Sequence, residues 1–202
     1  MRLSILHDGH AEAERQGLEE WERLAGPPSD VSLALAYRPD FFGDPLNAWI
    51  DGALRGESEW SSGDRELMGS FTAHEHRCPF CTGAHAAVAS LTFGDERVGA
   101  VLADPDAAPE GLRAALGFIS KLVSDPAGLG RQDAEPMRAA GVDRAGLEDV
   151  VNIAAIFVVM TRFANAMGFE GTDEEFAREA EGLSVTGYAE WRGEPSDPET
   201  NR

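Results

Sequence analysis

Residues 72–85 read Thr72-Ala-His-Glu-His-Arg-Cys78-Pro79-Phe80-Cys81-Thr-Gly-Ala-His85. This window holds both cysteines of the 202-residue chain and three of its five histidines. Proline fits the first position of a helix and pushes the residue before it out of the helical region. Pro79 therefore predicts that one helix stops before Cys78 and another starts at Pro79, with Cys78 as its N-cap. Everything upstream and downstream is punctuated in the same way.

Upstream, Ala11 to Leu24 carries Leu18, Trp21 and Leu24 at helical spacing and is stopped by Gly26-Pro27-Pro28. Asp30 can cap a short helix over 31–37. Residues 44–54 set Leu46, Trp49, Ile50 and Leu54 on one face. Ser61 or Ser62 opens a helix reaching about His76, with Asp64 and Glu66 in its first turn. Downstream, the helix from Pro79 reaches about Ala89. Further helices are predicted over 96–103, 109–124, 133–140 and 144–167. Thr172 to Glu175 has capping-box spacing and opens a last helix to about Glu181; the residues beyond Leu183 show no periodicity. No sustained two-residue alternation of β-branched residues occurs, so the fold class is all-α. The expected organisation is an N-terminal helical extension (1–29), a helical domain (30–170) and an acidic C-terminal helix and tail (171–202).

The formal charge is −19, and the single lysine is Lys121. No basic cluster exists to neutralise phosphates, which argues against nucleic-acid binding. Two cysteines exclude a disulfide-stapled secreted scaffold. The longest apolar stretch, residues 153–160, is short for a membrane span, and residues 1–10 lack a signal-peptide pattern. A cytoplasmic protein with reduced thiols and no membrane partner is expected.

The spacing C-x-x-C-x-x-x-H has a chemical consequence. With Cys78 at the N-cap, Cys81 is the third helical residue, beside unpaired backbone N–H groups at the positive end of the helix dipole. Both favour a thiolate. His85 lies one turn further on the same face and can act as a base toward Cys81. Cys78 is near enough to resolve an oxidised Cys81 sulfur into a disulfide, which a thiol reductant must reopen. Two other readings compete. The cysteines can be inert core residues. Alternatively His74, Cys78, Cys81 and His85, spaced 4, 3 and 4, can form a tetrahedral zinc or structural site, although Pro79 breaks the helix that would align them. His76 reads as a solvated surface residue. A thioredoxin-type motif would need a βαβ context that is missing.

At these residues the chain resembles the alkylhydroperoxidase D-like / carboxymuconolactone decarboxylase family, in particular its peroxidase-related branch. Redox members carry E-x(11)-C-x-x-C-x-x-x-H, matched here by Glu66, Cys78, Cys81 and His85. The likeness extends over about residues 30–170, through LRAALGFISKLVS (112–124), DAEPMRAAGV (133–142) and the long helix bearing Arg162. It implies an all-α bundle that assembles as a homo-oligomer, a dimer, trimer or hexamer. It implies a thiol peroxidase without cofactor or metal, acting on a hydroperoxide with a thiol reductant. Cys81 would be the peroxidatic thiolate, Cys78 the resolving thiol, His85 the base and Glu66 part of the proton relay. Without the family, Glu66 is a favourable charge in a helix's first turn. The sequence departs from the family where Phe80 replaces a histidine between the cysteines, and where Glu75-His76-Arg77 replaces a small turn. Decarboxylase members lack the cysteine pair, so a cofactor-free lyase is the weaker alternative. The negative charge of the chain opposes an additional anion and predicts a neutral or apolar oxidant.

Overall fold

A computed structural model describes residues 1–188, apart from the side chains of Leu24 and Ala25. Eleven α-helices are found among these residues, joined by short 3₁₀ and π turns, with no strand. The helices are α1 (Ile5–Asp8), α2 (Glu12–Ala25), α3 (Asp30–Tyr37), α4 (Asp44–Arg55), α5 (Ser62–Glu75), α6 (Pro79–Phe93), α7 (Asp95–Ala103), α8 (Glu110–Ser124), α9 (Glu135–Ala139), α10 (Arg144–Met167) and α11 (Asp173–Thr186). The all-α expectation holds.

Helix α5 is the centre of the bundle. Ser61 and Asp64 form a capping box at its start, and residues 67–73 are buried almost all round. It packs against α4, α6, α8 and α10. A helix buried on nearly every side must be closely enclosed by its neighbours, which is why α5 carries Gly69, Ser70 and Ala73 among its larger residues. Its C-cap, His76, is followed by Arg77 at φ +54, and this left-handed residue turns the chain back into α6. Cys78 is the N-cap of α6 and Pro79 its first residue, as Pro79 predicts.

Helix α10 starts at Asp143, whose side chain accepts from the Gly146 N–H, and ends at Gly168 with φ +67. By length and composition it could cross a membrane, with a mean hydropathy of 1.7 over 18 residues. Its buried stripe of Val150, Ile153, Ala154, Phe157, Met160, Thr161 and Ala164 faces the other helices instead. Each large apolar side chain removed from water there contributes about 1.5–3 kcal/mol.

Several expectations shift. Helix α6 runs on to Phe93, and α11 continues through Val185 to Thr186, where Gly187 at φ +69 ends it. Helix α1 lacks a periodic signature and is tied down by the Arg2 N–H to the Met167 carbonyl, 2.6 Å. Trp49, predicted on the apolar face of α4, is 39 % exposed and donates from Nε1 to Asn152 Oδ1 at 2.7 Å. The acidic C-terminal helix packs closely on α6, where Gly83 lets the Phe176 ring approach the backbone. Residues 189–202 of the acidic tail, and the place of Leu24 on the apolar face of α2, lie outside what is described.

Gly69 of α5 faces the Phe157 ring of α10 so closely that an added Cβ would collide with the ring. Both positions are fully within the core, so relief requires a shift of α10. Gly69→Ala is expected to lower stability by about 1–3 kcal/mol in urea unfolding. Gly99→Ala, on an exposed face of α7 with open space around it, is expected to be neutral or slightly stabilising.

Candidate active site

The four residues singled out by spacing lie at the α5–α6 junction. Ser70 Oγ, on α5, donates to the Thr82 carbonyl of α6 at 2.9 Å and fixes the two helices to each other. Glu66 and His85, 19 positions apart, are thereby brought side by side: His85 Nδ1 lies 2.7 Å from Glu66 Oε2. The Glu66 side chain is 1 % exposed. A buried carboxylate needs compensation, and three groups provide it. Arg55, at the end of α4, pairs with Oε1 at 2.6 Å. The Tyr188 hydroxyl donates at 2.9 and 3.1 Å. The His85 Nδ1–H is the third.

Burial alone would raise the Glu66 pKa. The hydrogen bond and charge of His85, the Arg55 charge and the Tyr188 hydroxyl together outweigh it and hold the carboxyl below 4.5. An ionised Glu66 fixes the proton of His85 on Nδ1, leaving Nε2 with a free lone pair. The imidazole is clamped by edge contact with Phe157 (centroids 4.5 Å apart) and by the stacked Tyr188 ring (5.9 Å, 27°). Tyr188 is itself held by the Arg55 guanidinium, 5.0 Å above its ring, and by its own N–H to Asp51 Oδ1 at 2.8 Å.

Both thiols are buried and free, and they hydrogen-bond to each other. Here the structure departs from the expected order of ionisation. The Cys81 thiol donates to Cys78 and, together with the backbone N–H groups of Cys81 and Phe80, brings Cys78 down to about 7 against the effect of burial. Cys81, as the donor of that bond, deeply buried and next to the Cys78 charge, is pushed well above 9.0. The shared hydrogen bond sets this order first, lowering the acceptor and raising the donor, and the backbone N–H groups at the helix start add to it at Cys78. Cys81 in turn lines a cavity of about 190 Å³, together with His85 and mostly apolar side chains.

Phe80 fills the position of the absent histidine with an aromatic anchor. It packs edge-on against Phe169 and Phe176, with centroids 5.5 Å away in each case, and faces the same cavity. His74 is exposed and stays away from the buried cysteines. Among the described residues no three His, Cys, Asp or Glu side chains converge as a metal-ligand set, so the zinc alternative gains no geometric support. His76 is not the solvated residue expected: it is half-buried and its Nδ1 lies 2.9 Å from Thr161 Oγ1. Burial and the neighbouring Arg162 charge lower its pKa.

Two residues of the cluster, Arg55 and Tyr188, escape sequence reasoning. Arg55 in the last turn of a helix looks like an ordinary dipole partner. Tyr188 follows a helix end in a stretch with no periodicity.

These pKa directions set two expectations. The folded Glu66 carboxyl titrates below its unfolded value, so its stabilisation is complete above about pH 4.5 and is lost as pH falls through the folded pKa. Glu66→Gln should therefore lose less stability than wild type on acidification below pH 4.5. At neutral pH it should be about 3–5 kcal/mol less stable, because Arg55 and His85 lose their partner; denaturant unfolding across pH checks both. In the reduced protein, thiolate absorbance near 240 nm should rise with a midpoint of about 7. In Cys81→Ala the donor to Cys78 is gone and the midpoint should move upward.

No protein-family model and no curated protein matches the sequence. Solved structures do. An uncharacterized peroxidase-related protein from Silicibacter sp. TM1040 matches at a TM-score of 0.75 and 23 % identity, over 87 % of this chain and 93 % of that one. An uncharacterized peroxidase-related protein from Ralstonia eutropha JMP134, described as an alkylhydroperoxidase AhpD core, matches at a TM-score of 0.72 and 28 % identity, over 85 % and 90 %. The fold of this chain is that of these peroxidase-related proteins, consistent with the alkylhydroperoxidase D-like family that its motif resembles.

Proposed function

We propose that the protein is a thiol-dependent peroxidase that cycles Cys78 and Cys81 between dithiol and disulfide. Its likeness to peroxidase-related, alkylhydroperoxidase-like proteins supports a peroxidase-like role at the level of the family. What carries the finer proposal is one arrangement: Cys81 on the wall of a cavity, its free thiol hydrogen-bonded to that of Cys78, one helical turn before an imidazole whose tautomer is fixed by Glu66.

The steps follow from that arrangement. In the resting dithiol, the first proton leaves the pair for the free lone pair of His85 Nε2, and the charge rests on Cys78. Transfer of the Cys81 proton to Cys78 along their shared hydrogen bond exposes a Cys81 thiolate to the cavity. The Cys81 sulfur attacks the terminal oxygen of a hydroperoxide. The O–O bond breaks, the sulfur is oxidised to sulfenic acid, and the departing alkoxide takes a proton to leave as alcohol. His85 in its protonated form is placed to supply that proton and, once neutral, to take one from Cys78. Cys78 thiolate then attacks the sulfenic sulfur; the S–O bond breaks and the hydroxide leaves as water with the proton that His85 has just taken, giving the disulfide. A dithiol reductant returns both sulfurs to thiols by exchange. Glu66 holds the imidazolium when it forms, and Arg55 and Tyr188 keep Glu66 charged.

A neutral hydroperoxide suits the acidic chain, and a reducing cytoplasm suits two free buried thiols. The proposal includes a homo-oligomer. Trp49, Val151 and Val159 leave apolar surface exposed on α4 and α10 that a second copy would cover.

Peroxide consumption with dithiothreitol as reductant is the decisive assay. Cys81→Ser is expected to abolish it, Cys78→Ser to allow one oxidation and no turnover, and His85→Gln to slow it by about 10²–10⁴-fold. Full activity in Cys81→Ser would sink the proposal.

A further inference from the structure

Cys78 is 1 % exposed and Cys81 5 %, so nothing large reaches either thiol from outside. The cavity of about 190 Å³ beside Cys81 is bounded by α2, α3, α4, α6 and α10 and, from Arg178 to Tyr188, by α11 and the two residues after it.

Helix α11 is held unevenly along its length. Its first half is packed: Phe176 lies edge-on to Phe80 and over Gly83, and Ala180 is fully buried. In the middle, the Ser29 hydroxyl hydrogen-bonds Glu179. Beyond Ala180 no side chain of α11 is buried, and Val185 is 84 % exposed. A helix end with so few buried contacts opens at little cost unless something else holds it. Among the described residues, the holders are Arg55 Nη2, which donates to the Leu183 carbonyl at 3.4 Å, and Tyr188.

Tyr188 is fastened on two sides. Its hydroxyl donates to Glu66 and its ring stacks on His85, within the proton relay. Its backbone N–H donates to Asp51 Oδ1 at 2.8 Å. Asp51, on α4, does not line the cavity and hydrogen-bonds no member of the Glu66 cluster except Tyr188. Gly187 permits this contact: its φ of +69 costs a glycine little, and a Cβ there would lie only 2.7 Å from Asp51 Oδ1.

We infer that Asp51 is a positioning residue that clasps Tyr188, and with it the end of α11, over the cavity. Tyr188 belongs to both the wall and the relay, so closing the chamber and completing the hydrogen bonds of Glu66 are one event. With the clasp released, the end of α11 moves off the cavity and the thiol pair is open to molecules larger than the chamber. The inference rests on the peroxidase reading for its use: the hydroperoxide reacts in the closed chamber, and a bulky dithiol reductant reaches the disulfide in the open one.

The test uses the reduced full-length protein and two readouts that need no peroxide. A maleimide carrying a long polyethylene glycol chain reports opening through its rate of alkylation of Cys78 or Cys81, with the modified residue located by peptide mass. Hydrogen exchange reports it at the amides of residues 183–188. In Asp51→Ala, alkylation and exchange at these amides should both accelerate about tenfold, the factor that one net hydrogen bond to a charged group represents. The amides of α5 and of residues 177–180 should exchange as in wild type. Asp51→Asn keeps the Oδ1 acceptor and should behave like wild type. Unchanged alkylation in Asp51→Ala, exchange that accelerates equally in α5, or an asparagine variant that behaves like the alanine one would overturn the inference. Peroxide consumption by wild type, measured in parallel, separates the two ideas. The expected alkylation and exchange without peroxide consumption keeps the clasp and removes the peroxidase; consumption with unchanged alkylation in Asp51→Ala removes the clasp alone.

Discussion

The buried carboxylate of Glu66 is the constraint around which this bundle is arranged. A carboxylate shut away from water at 1 % exposure is tolerable only if charge and hydrogen bonds replace its hydration. The replacement comes from three separate parts of the chain: Arg55 at the end of α4, His85 on α6 and Tyr188 after α11. Each of them must reach the same point, so α4 and α6 pack on α5, and α11, packed on α6, delivers Tyr188 from just beyond its end. The packing of α10 answers the same demand from below, since Phe157 both supports the His85 ring and presses against Gly69.

A consequence is that the imidazole is prepared before any substrate arrives. Its Nδ1 proton is committed to Glu66, its plane is held between Phe157 and Tyr188, and its Nε2 is left available. The thiols are prepared differently. Their mutual hydrogen bond puts the first negative charge on Cys78 and leaves the proton on Cys81. Charge is thus stored at the sulfur facing backbone N–H groups, while the sulfur on the cavity wall stays neutral. For a chain with a net charge of −19, holding the anion on local backbone dipoles is a way to keep a thiolate without any nearby lysine.

Much of this was legible from residue order. Pro79 marked the junction between α5 and α6, and Ser61 and Thr172 marked helix starts through capping chemistry that is local by nature. The pairing of Glu66 with His85 followed only from a family resemblance, because 19 positions separate them across a turn. The overestimate of Trp49 burial and the shortened forecast for α6 and α11 share one cause: periodicity reports which residues could face a core, not where neighbouring helices end. His76 shows the same limit, since its partner Thr161 is 85 positions away.

The sequence by itself determined the all-α class, the helix that begins at Pro79, and the placement of both thiols and His85 within two turns of it. Those are consequences of dihedral restriction, capping and the 3.6-residue period, which act over a few residues. Only the tertiary structure decided that Arg55 and Tyr188 complete the carboxylate's surroundings and that Cys81 and His85 share a cavity wall. These depend on desolvation and on charges brought together from distant helices, and neither is written in any local stretch of the chain.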